Sequence, residues 1–103
     1  MEANIYNLKA WITSTDANYL RKTLKDMLVD SGFNIEGFTD QSFSPYGYSA
    51  LWLISESHLA IHTWPEQNKT YVELSSCNKK KQQKFIKKFV ELFGDEDSTT
   101  AVF

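Results

Sequence analysis

The pattern of side chains over residues 59–64 is the sequence feature that most restricts how this chain can fold. Large apolar residues at 59 and 61 alternate with the smaller or polar residues at 60 and 62, which predicts a half-buried β-strand. One face would carry Leu59, Ile61 and Thr63, and the other would carry His58, Ala60 and His62. Pro65 follows directly and should end the strand, because proline offers no backbone N–H to a neighbouring strand.

Five further strands and two helices are predicted from the remaining patterns. The predicted strands cover 5–13, 33–43, 48–54, 70–77 and 99–103. The first helix should begin at Thr15 or Asp16 and end near Gly32, and Asn78 should cap the second. Consecutive strands joined by short turns favour antiparallel pairing, with both helices on one face. We therefore predict an α+β fold in one domain, 1–103: a two-layer sandwich with a mostly antiparallel sheet.

The segment 48–54 is nearly continuous in apolar residues, reading Tyr-Ser-Ala-Leu-Trp-Leu-Ile. Such a run is typical of a central strand that is covered on both faces. We therefore expect this strand to lie inside the sheet with no exposed side.

The twelve residues 55–66 contain two serines, two histidines and two glutamates, which is unusual for a segment that only builds a core. Ser57 lies five positions before His62, so a straight strand would place their side chains on opposite faces. If these two residues act together, the backbone must bend near Ser57 in a turn or bulge. Such a bend would place strain on the peptide bond between Glu56 and Ser57.

Composition and charge exclude several classes of function. The 103 residues include one cysteine, so no internal disulfide can form and a cytoplasmic location is expected. The start of the sequence lacks a basic segment followed by an apolar run, and no apolar stretch is long enough for a membrane span. The net charge of −2 gives no electrostatic basis for binding nucleic acid.

Several motifs around this segment resemble one enzyme family. Residues 56–58 read Glu-Ser-His, residues 61–66 read Ile-His-Thr-Trp-Pro-Glu, and Cys77 follows on the next predicted strand. Upstream, residues 43–47 read Phe-Ser-Pro-Tyr-Gly, and Ser49 comes two residues later. In this order and spacing, the motifs resemble the short bacterial and archaeal class of S-adenosylmethionine decarboxylases, which make their own pyruvoyl cofactor.

The resemblance implies that the chain cuts itself before Ser57. Ser57 would attack the carbonyl carbon of Glu56, giving a β chain of 1–56 and an α chain of 57–103 that begins with the pyruvoyl group. His62 would act as the base or proton carrier of this processing, and Ser49 would assist it. Cys77 would donate a proton after decarboxylation, since a free thiol is mostly protonated at pH 7.

The resemblance also implies how the substrate binds. Glu66 would hold the ribose hydroxyls, while Phe43 and the ring of His62 would stack on the adenine and Trp64 would complete the site. The product would be the aminopropyl donor of spermidine and polyamine biosynthesis. The family forms a homodimer of αβ units, in which each protomer contributes to the active sites.

Three other functions stay open. Relatives with the same self-cleavage machinery decarboxylate ornithine or arginine, and residues 67–71 (Gln-Asn-Lys-Thr-Tyr) are more polar than in many relatives. An unprocessed, non-catalytic homologue would share the motifs without the activity. A metal-binding module using His58, His62 and Cys77 is disfavoured, because zinc sites place paired ligands at short intervals.

Overall fold

A six-stranded antiparallel sheet with two helices packed on one face forms the fold. The computed structural model of the chain describes residues 4–96 and 99–102. The elements are β1 (Tyr6–Ile12), α1 (Ala17–Asp30), β2 (Ile35–Ser42), β3 (Tyr48–Ile54), β4 (Ser57–Trp64), a 3₁₀ turn (Pro65–Gln67), β5 (Lys69–Ser76), α2 (Lys79–Phe93) and β6 (Thr99–Val102). The strand order is β2-β3-β4-β5-β1-β6, and each of the five ladders is antiparallel. The predicted two-layer α+β sandwich is confirmed.

Both helices begin at the side chains that the sequence indicated. The Tyr19 N–H donates to Asp16 Oδ1 at 2.8 Å, and the Lys81 N–H donates to Asn78 Oδ1 at 3.0 Å. Each bond satisfies a donor that the first turn of a helix leaves unpaired. Gly32, with a φ of 95°, turns the chain away after α1 in a conformation that favours glycine.

The hydrophobic core lies between the two helices and the face of the sheet that they cover. It contains the apolar faces of both helices and alternate residues from β1, β3, β4 and β5. These residues are Leu8, Ala10, Ile12, Leu20, Leu24, Met27, Leu28, Phe33, Tyr48, Ala50, Trp52, Ile54, Leu59, Ile61, Val72, Leu74, Phe85, Phe89 and Phe93. We call this side of the sheet the helix-covered face and the opposite side the open face.

The prediction that β3 is covered on both faces was wrong. Leu51 and Leu53 are 40% and 55% exposed, because both helices pack on the same side of the sheet. β3 does lie inside the sheet, between β2 and β4. Its continuous apolar run therefore reflects one buried face and one open apolar face within a single chain.

A two-residue turn at Ser55 and Glu56 joins β3 to β4, and Ile54 pairs with Ser57 across it. Glu56 has a φ of 56°, in the left-handed region that a glutamate rarely adopts. The ladder between β3 and β4 then runs from Ser57 to Thr63 without a register shift. The predicted turn is confirmed, and it is complete before Ser57, so β4 begins two residues earlier than expected.

Neither α1 nor α2, the two helices of the described ranges, is long and apolar enough to span a membrane.

Candidate active site

One row of paired residues crosses the open face from β3 to β1. Ser49 pairs with His62, His62 with Tyr71, and Tyr71 with Trp11. Residues that are paired across a sheet project to the same side, so these four side chains are neighbours on the open face. The register therefore joins two residues that the motifs singled out, Ser49 and His62, to two that they did not.

A cavity of about 270 Å³ lies at the β3 end of this row, beside the turn that leads into β3. It is lined by Phe43, Tyr46, Gly47, Tyr48, Ser49, His62, Thr63, Trp64 and Glu66. The four predicted substrate-binding residues and Ser49 are all among them. We call this the nucleoside cavity, after the ligand that the resemblance implies.

Ser49 and His62 form a direct hydrogen bond inside the nucleoside cavity. The Ser49 Oγ lies 2.8 Å from Nδ1 of His62. A hydroxyl can donate to Nδ1 of one tautomer or accept from the N–H of the other, so the contact holds the ring in place in either state. The ring that is expected to stack on a purine is thus anchored from a neighbouring strand.

Trp64 connects the nucleoside cavity to an aromatic group farther along the open face. Its ring centroid lies 6.3 Å from that of His62 and 5.5 Å from that of Trp11, and the Trp11 and Tyr71 rings are 5.1 Å apart. The motifs did not indicate Trp11 or Tyr71, because the two lie on different strands and meet only through the sheet register. Together the rings support Trp64 at the edge of the cavity.

The predicted cleavage site forms a second group, at the other end of β4. The Cys77 N–H donates to Ser57 Oγ at 3.3 Å, and the Cys77 Sγ lies 3.4 Å from Glu56 Oε2. Ser57 is only 8% exposed and lies on the helix-covered side of the strand, whereas Cys77 is exposed. We call Glu56, Ser57 and Cys77 the cleavage cluster.

The cleavage cluster and the nucleoside cavity do not meet within one chain. Ser57 and His62 are five residues apart on a regular strand, which corresponds to about 16 Å along β4 and to opposite faces. We had expected a bend near Ser57 to bring Ser57 and His62 together. The turn ends before Ser57, so the two side chains stay apart. The predicted site residues are therefore divided into two separate groups.

Tyr48 links the nucleoside cavity to an ion pair that sequence reasoning missed. Its hydroxyl donates to Asp40 Oδ2 at 2.7 Å, and Arg21 Nη1 lies 3.5 Å from the same oxygen. Burial, with the hydrogen bond to Asp40 and the charge of Asp40, raises the pKa of Tyr48 to about 12, although the nearby Arg21 lowers it in part. Tyr48 thus stays protonated and donating at neutral pH.

Among the residues that the structure describes, no three histidine, cysteine or carboxylate side chains lie close enough together to hold a metal ion. The arrangement required for a metal-binding module of His58, His62 and Cys77 is therefore not present in this part of the chain.

Comparison with known proteins identifies similar sequences. The family model for S-adenosylmethionine decarboxylase matches residues 3–103. A protein of Acetivibrio thermocellus named S-adenosylmethionine decarboxylase proenzyme is 37% identical over 78 residues, which cover 76% of this chain and 62% of the relative. A protein of the same name from Clostridium tetani is 37% identical over 75 residues, or 73% of this chain and 59% of the relative. The chain thus spans about three fifths of the length of these curated relatives.

Solved structures resemble the fold. The crystal structure of the adenosylmethionine decarboxylase from Aquifex aeolicus matches with a TM-score of 0.77 at 17% identity, over 100% of this chain and 89% of that one. A Trypanosoma brucei AdoMetDC-delta26 monomer matches with a TM-score of 0.52 at 17% identity, over 87% of this chain and 41% of that one. At this level of identity the likeness establishes a common fold.

We expect Tyr48 to make the stability of the protein fall between about pH 10 and pH 12. An unfolded tyrosine loses its proton near pH 10, whereas the folded form holds it until about pH 12, so unfolding becomes more favourable as the pH rises through this window. Urea unfolding across the window should show a smaller loss for Tyr48→Phe, which keeps the ring but cannot ionise. Tyr46→Phe, an exposed tyrosine of the same cavity, is the control. Identical pH dependence of wild type and Tyr48→Phe would contradict the assignment.

Proposed function

The chain belongs to the S-adenosylmethionine decarboxylase family, and from that membership we propose that it is a self-cleaving, pyruvoyl-dependent enzyme that decarboxylates S-adenosylmethionine. The observation that carries this proposal is that one cavity collects Phe43, Ser49, His62 and Glu66 from two strands and two turns. Aromatic faces for a purine and a carboxylate for vicinal hydroxyls suit a nucleoside. The product would serve as an aminopropyl donor in spermidine and polyamine biosynthesis in the cytoplasm.

Backbone strain at Glu56 supports cleavage between Glu56 and Ser57. A non-glycine residue held in the left-handed region costs on the order of 1–3 kcal/mol, and such residues cluster at functional sites. Glu56 adopts this conformation with a φ of 56°, directly before the bond to be cut. The β3–β4 ladder holds the residues on both sides of the turn, so breaking this peptide bond would release the strain.

The cleavage chemistry uses groups of the chain itself. Ser57 Oγ attacks the carbonyl carbon of Glu56; the peptide C–N bond breaks, an ester forms and the amine of residue 57 takes up the proton. Loss of the Cα proton of residue 57 then breaks its Cβ–O bond, and Glu56 leaves as a carboxylate. Water replaces the remaining nitrogen, which departs as ammonia and leaves a pyruvoyl group on 57–103.

The residues around Ser57 fit such a group. A pyruvoyl group at this position supplies a ketone that can take up the electrons released by decarboxylation of an α-amino acid. The backbone N–H of Cys77 donates to Ser57 Oγ, so the residue that carries the thiol lies directly beside the position where the pyruvoyl group would form. The Cys77 thiol lies 3.4 Å from Glu56 Oε2 and can donate to it, which places the proposed proton donor beside the peptide bond to be cut.

We propose that a second copy of the chain completes the active site. The cleavage cluster and the nucleoside cavity are separate in one protomer, and the open face exposes Leu51, Leu53 and Trp64. Two open faces packed around a two-fold axis would cover this apolar surface. Glu56 and Cys77 are exposed at the end of β4, although Ser57 between them is buried. A symmetric homodimer of αβ units would then hold two equivalent sites, each reaching the cleavage cluster of one protomer from this end and combining it with the nucleoside cavity of its partner.

Self-cleavage is tested by the intact mass of the purified protein under denaturing conditions. We expect two fragments, 1–56 and 57–103, the second carrying a blocked, pyruvoyl N-terminus. Ser57→Ala should remain whole, because it lacks the attacking oxygen. Ser55→Ala is the matched control, since it alters the same turn and should still be cleaved. A wild-type chain that stays whole and inactive would instead indicate a non-catalytic homologue.

The composite site is tested by mixing two inactive variants in one cell. His62→Ala damages the nucleoside cavity and Cys77→Ala damages the cleavage cluster, so a mixed dimer contains one undamaged site and one doubly damaged site. Random pairing should restore about a quarter of the wild-type activity. Two variants of the cleavage cluster, Ser57→Ala with Cys77→Ala, provide the control and should stay inactive, because every mixed dimer then has both cleavage clusters damaged. Restoration in neither mixture would place each active site within one protomer.

Substrate choice is tested by CO₂ release from labelled S-adenosylmethionine, ornithine and arginine. With S-adenosylmethionine, Glu66→Ala should raise KM roughly tenfold or more, because a hydrogen bond to a charged acceptor is worth about 1.5–3 kcal/mol. Phe43→Ala should raise KM as well, while Gln67→Ala, next to Glu66 but outside the cavity, should not. Cys77→Ser should lower kcat with little change in KM. Release from ornithine or arginine alone would overturn the nucleoside assignment and leave the pyruvoyl chemistry standing.

A further inference from the structure

A second cavity lies on the helix-covered side of the sheet, between α1 and the strands β2 and β3. Its volume is about 440 Å³, and it is lined by Arg21, Lys22, Lys25, Ile35, Phe38 and Trp52. Small-molecule sites typically occupy about 300–1,000 Å³ and combine an apolar lining with a few polar groups. The size and lining of this cavity therefore suit a ligand, and none of its residues belongs to the nucleoside cavity or the cleavage cluster.

The floor of the cavity is aromatic. Phe38 and Trp52 are cross-strand partners whose ring centroids lie 5.0 Å apart, tilted by 48°. A register shift between Ile35 and Gly37 brings Ile35 to the same side of the sheet as Phe38. Phe38 remains 43% exposed while Trp52 beneath it is buried, so the ring of Phe38 is the apolar surface that the floor offers to a ligand.

The wall of the cavity is cationic, although the whole chain has a net charge of −2. Arg21 donates to Asn18 Oδ1 at 2.8 Å and contacts Asp40, so its position is fixed at the rim. Among the described residues, Lys22 and Lys25 have no hydrogen bond or ion pair, and both are exposed. Two free ammonium groups therefore stand beside an apolar floor, which complements a negative charge attached to a flat ring.

We propose that this second cavity binds a small aromatic anion, such as an aromatic carboxylate. Its ring system lies on Phe38, next to the buried edge of Trp52, and its anionic group is held by Lys22 and Lys25. A cationic ligand would be repelled by the three positive side chains of the wall. The proposal does not rest on the proposed decarboxylation, because this cavity shares no lining residue with the nucleoside cavity.

The test is a titration of the purified protein with 2-naphthoate, followed through the NMR signals of the indole N–H groups. Saturable shifts are expected for Trp52 and not for Trp64, which reports on the open face. The amide 2-naphthamide has the same rings without the charge and should bind roughly tenfold more weakly. Shifts confined to Trp64, equal affinity for the two compounds, or no saturable shift would overturn the proposal.

Variants separate the contributions of charge and ring contact. Lys22→Gln with Lys25→Gln should reduce naphthoate affinity to that of the amide. The matched control is Lys84→Gln with Lys87→Gln, which removes two exposed lysines at the same spacing from α2 and should bind as wild type does. Phe38→Ala should weaken both compounds. Equal effects of the two lysine pairs, or unchanged binding by Phe38→Ala, would contradict the assigned site.

Discussion

The two-residue period of a β-strand decides where every functional group of β4 lies. Leu59 and Ile61 must face the helices to build the core, so His62 must face away from them, and Ser57 must share the side of Leu59. A shift of register by one residue would bury His62 and expose Leu59, so core packing strongly favours the observed register. The separation of Ser57 from His62 is therefore a consequence of core packing. The proposed site that uses both residues therefore depends on the proposed dimer.

The strain at Glu56 depends on the same packing. A two-residue turn between two paired strands commonly requires positive φ values, and glycine or asparagine usually supplies them. Here Glu56 occupies such a position. The ladder from Ile54 to Ser57 and the buried residues that follow it keep the turn in this conformation. A stable sheet thus keeps Glu56 in a strained conformation directly before a buried serine, and the proposed cleavage would depend on the stability of the core.

The fold and the members of the nucleoside cavity could be predicted from the sequence, whereas their spatial relations could not. Periods and runs of apolar residues located the six strands and both helices, because they report on burial. The predicted covering of both faces of β3 was wrong, since an apolar run does not reveal whether a second layer belongs to the same chain. Trp11, Tyr71 and Asp40 were missed because strand register brings them to their partners from distant positions. The second cavity was missed because the sequence pattern of α1 shows Arg21, Lys22 and Lys25 only as a polar helix face. It does not show that they lie beside Phe38 of β2.

One carboxylate lies between the two cavities, although they are on opposite faces of the sheet. Asp40 Oδ2 accepts from the Tyr48 hydroxyl, which lines the nucleoside cavity, and pairs with Arg21, which lines the cationic cavity. An anion bound near Arg21 would compete with Asp40 for the guanidinium charge. The hydrogen bond from Tyr48 would then be the main interaction that stabilises the Asp40 carboxylate. Tyr48 is buried and keeps its proton at neutral pH, so its hydroxyl continues to donate to this carboxylate. Asp40 Oδ2 therefore provides a direct route of one hydrogen bond and one ion pair between the two cavities.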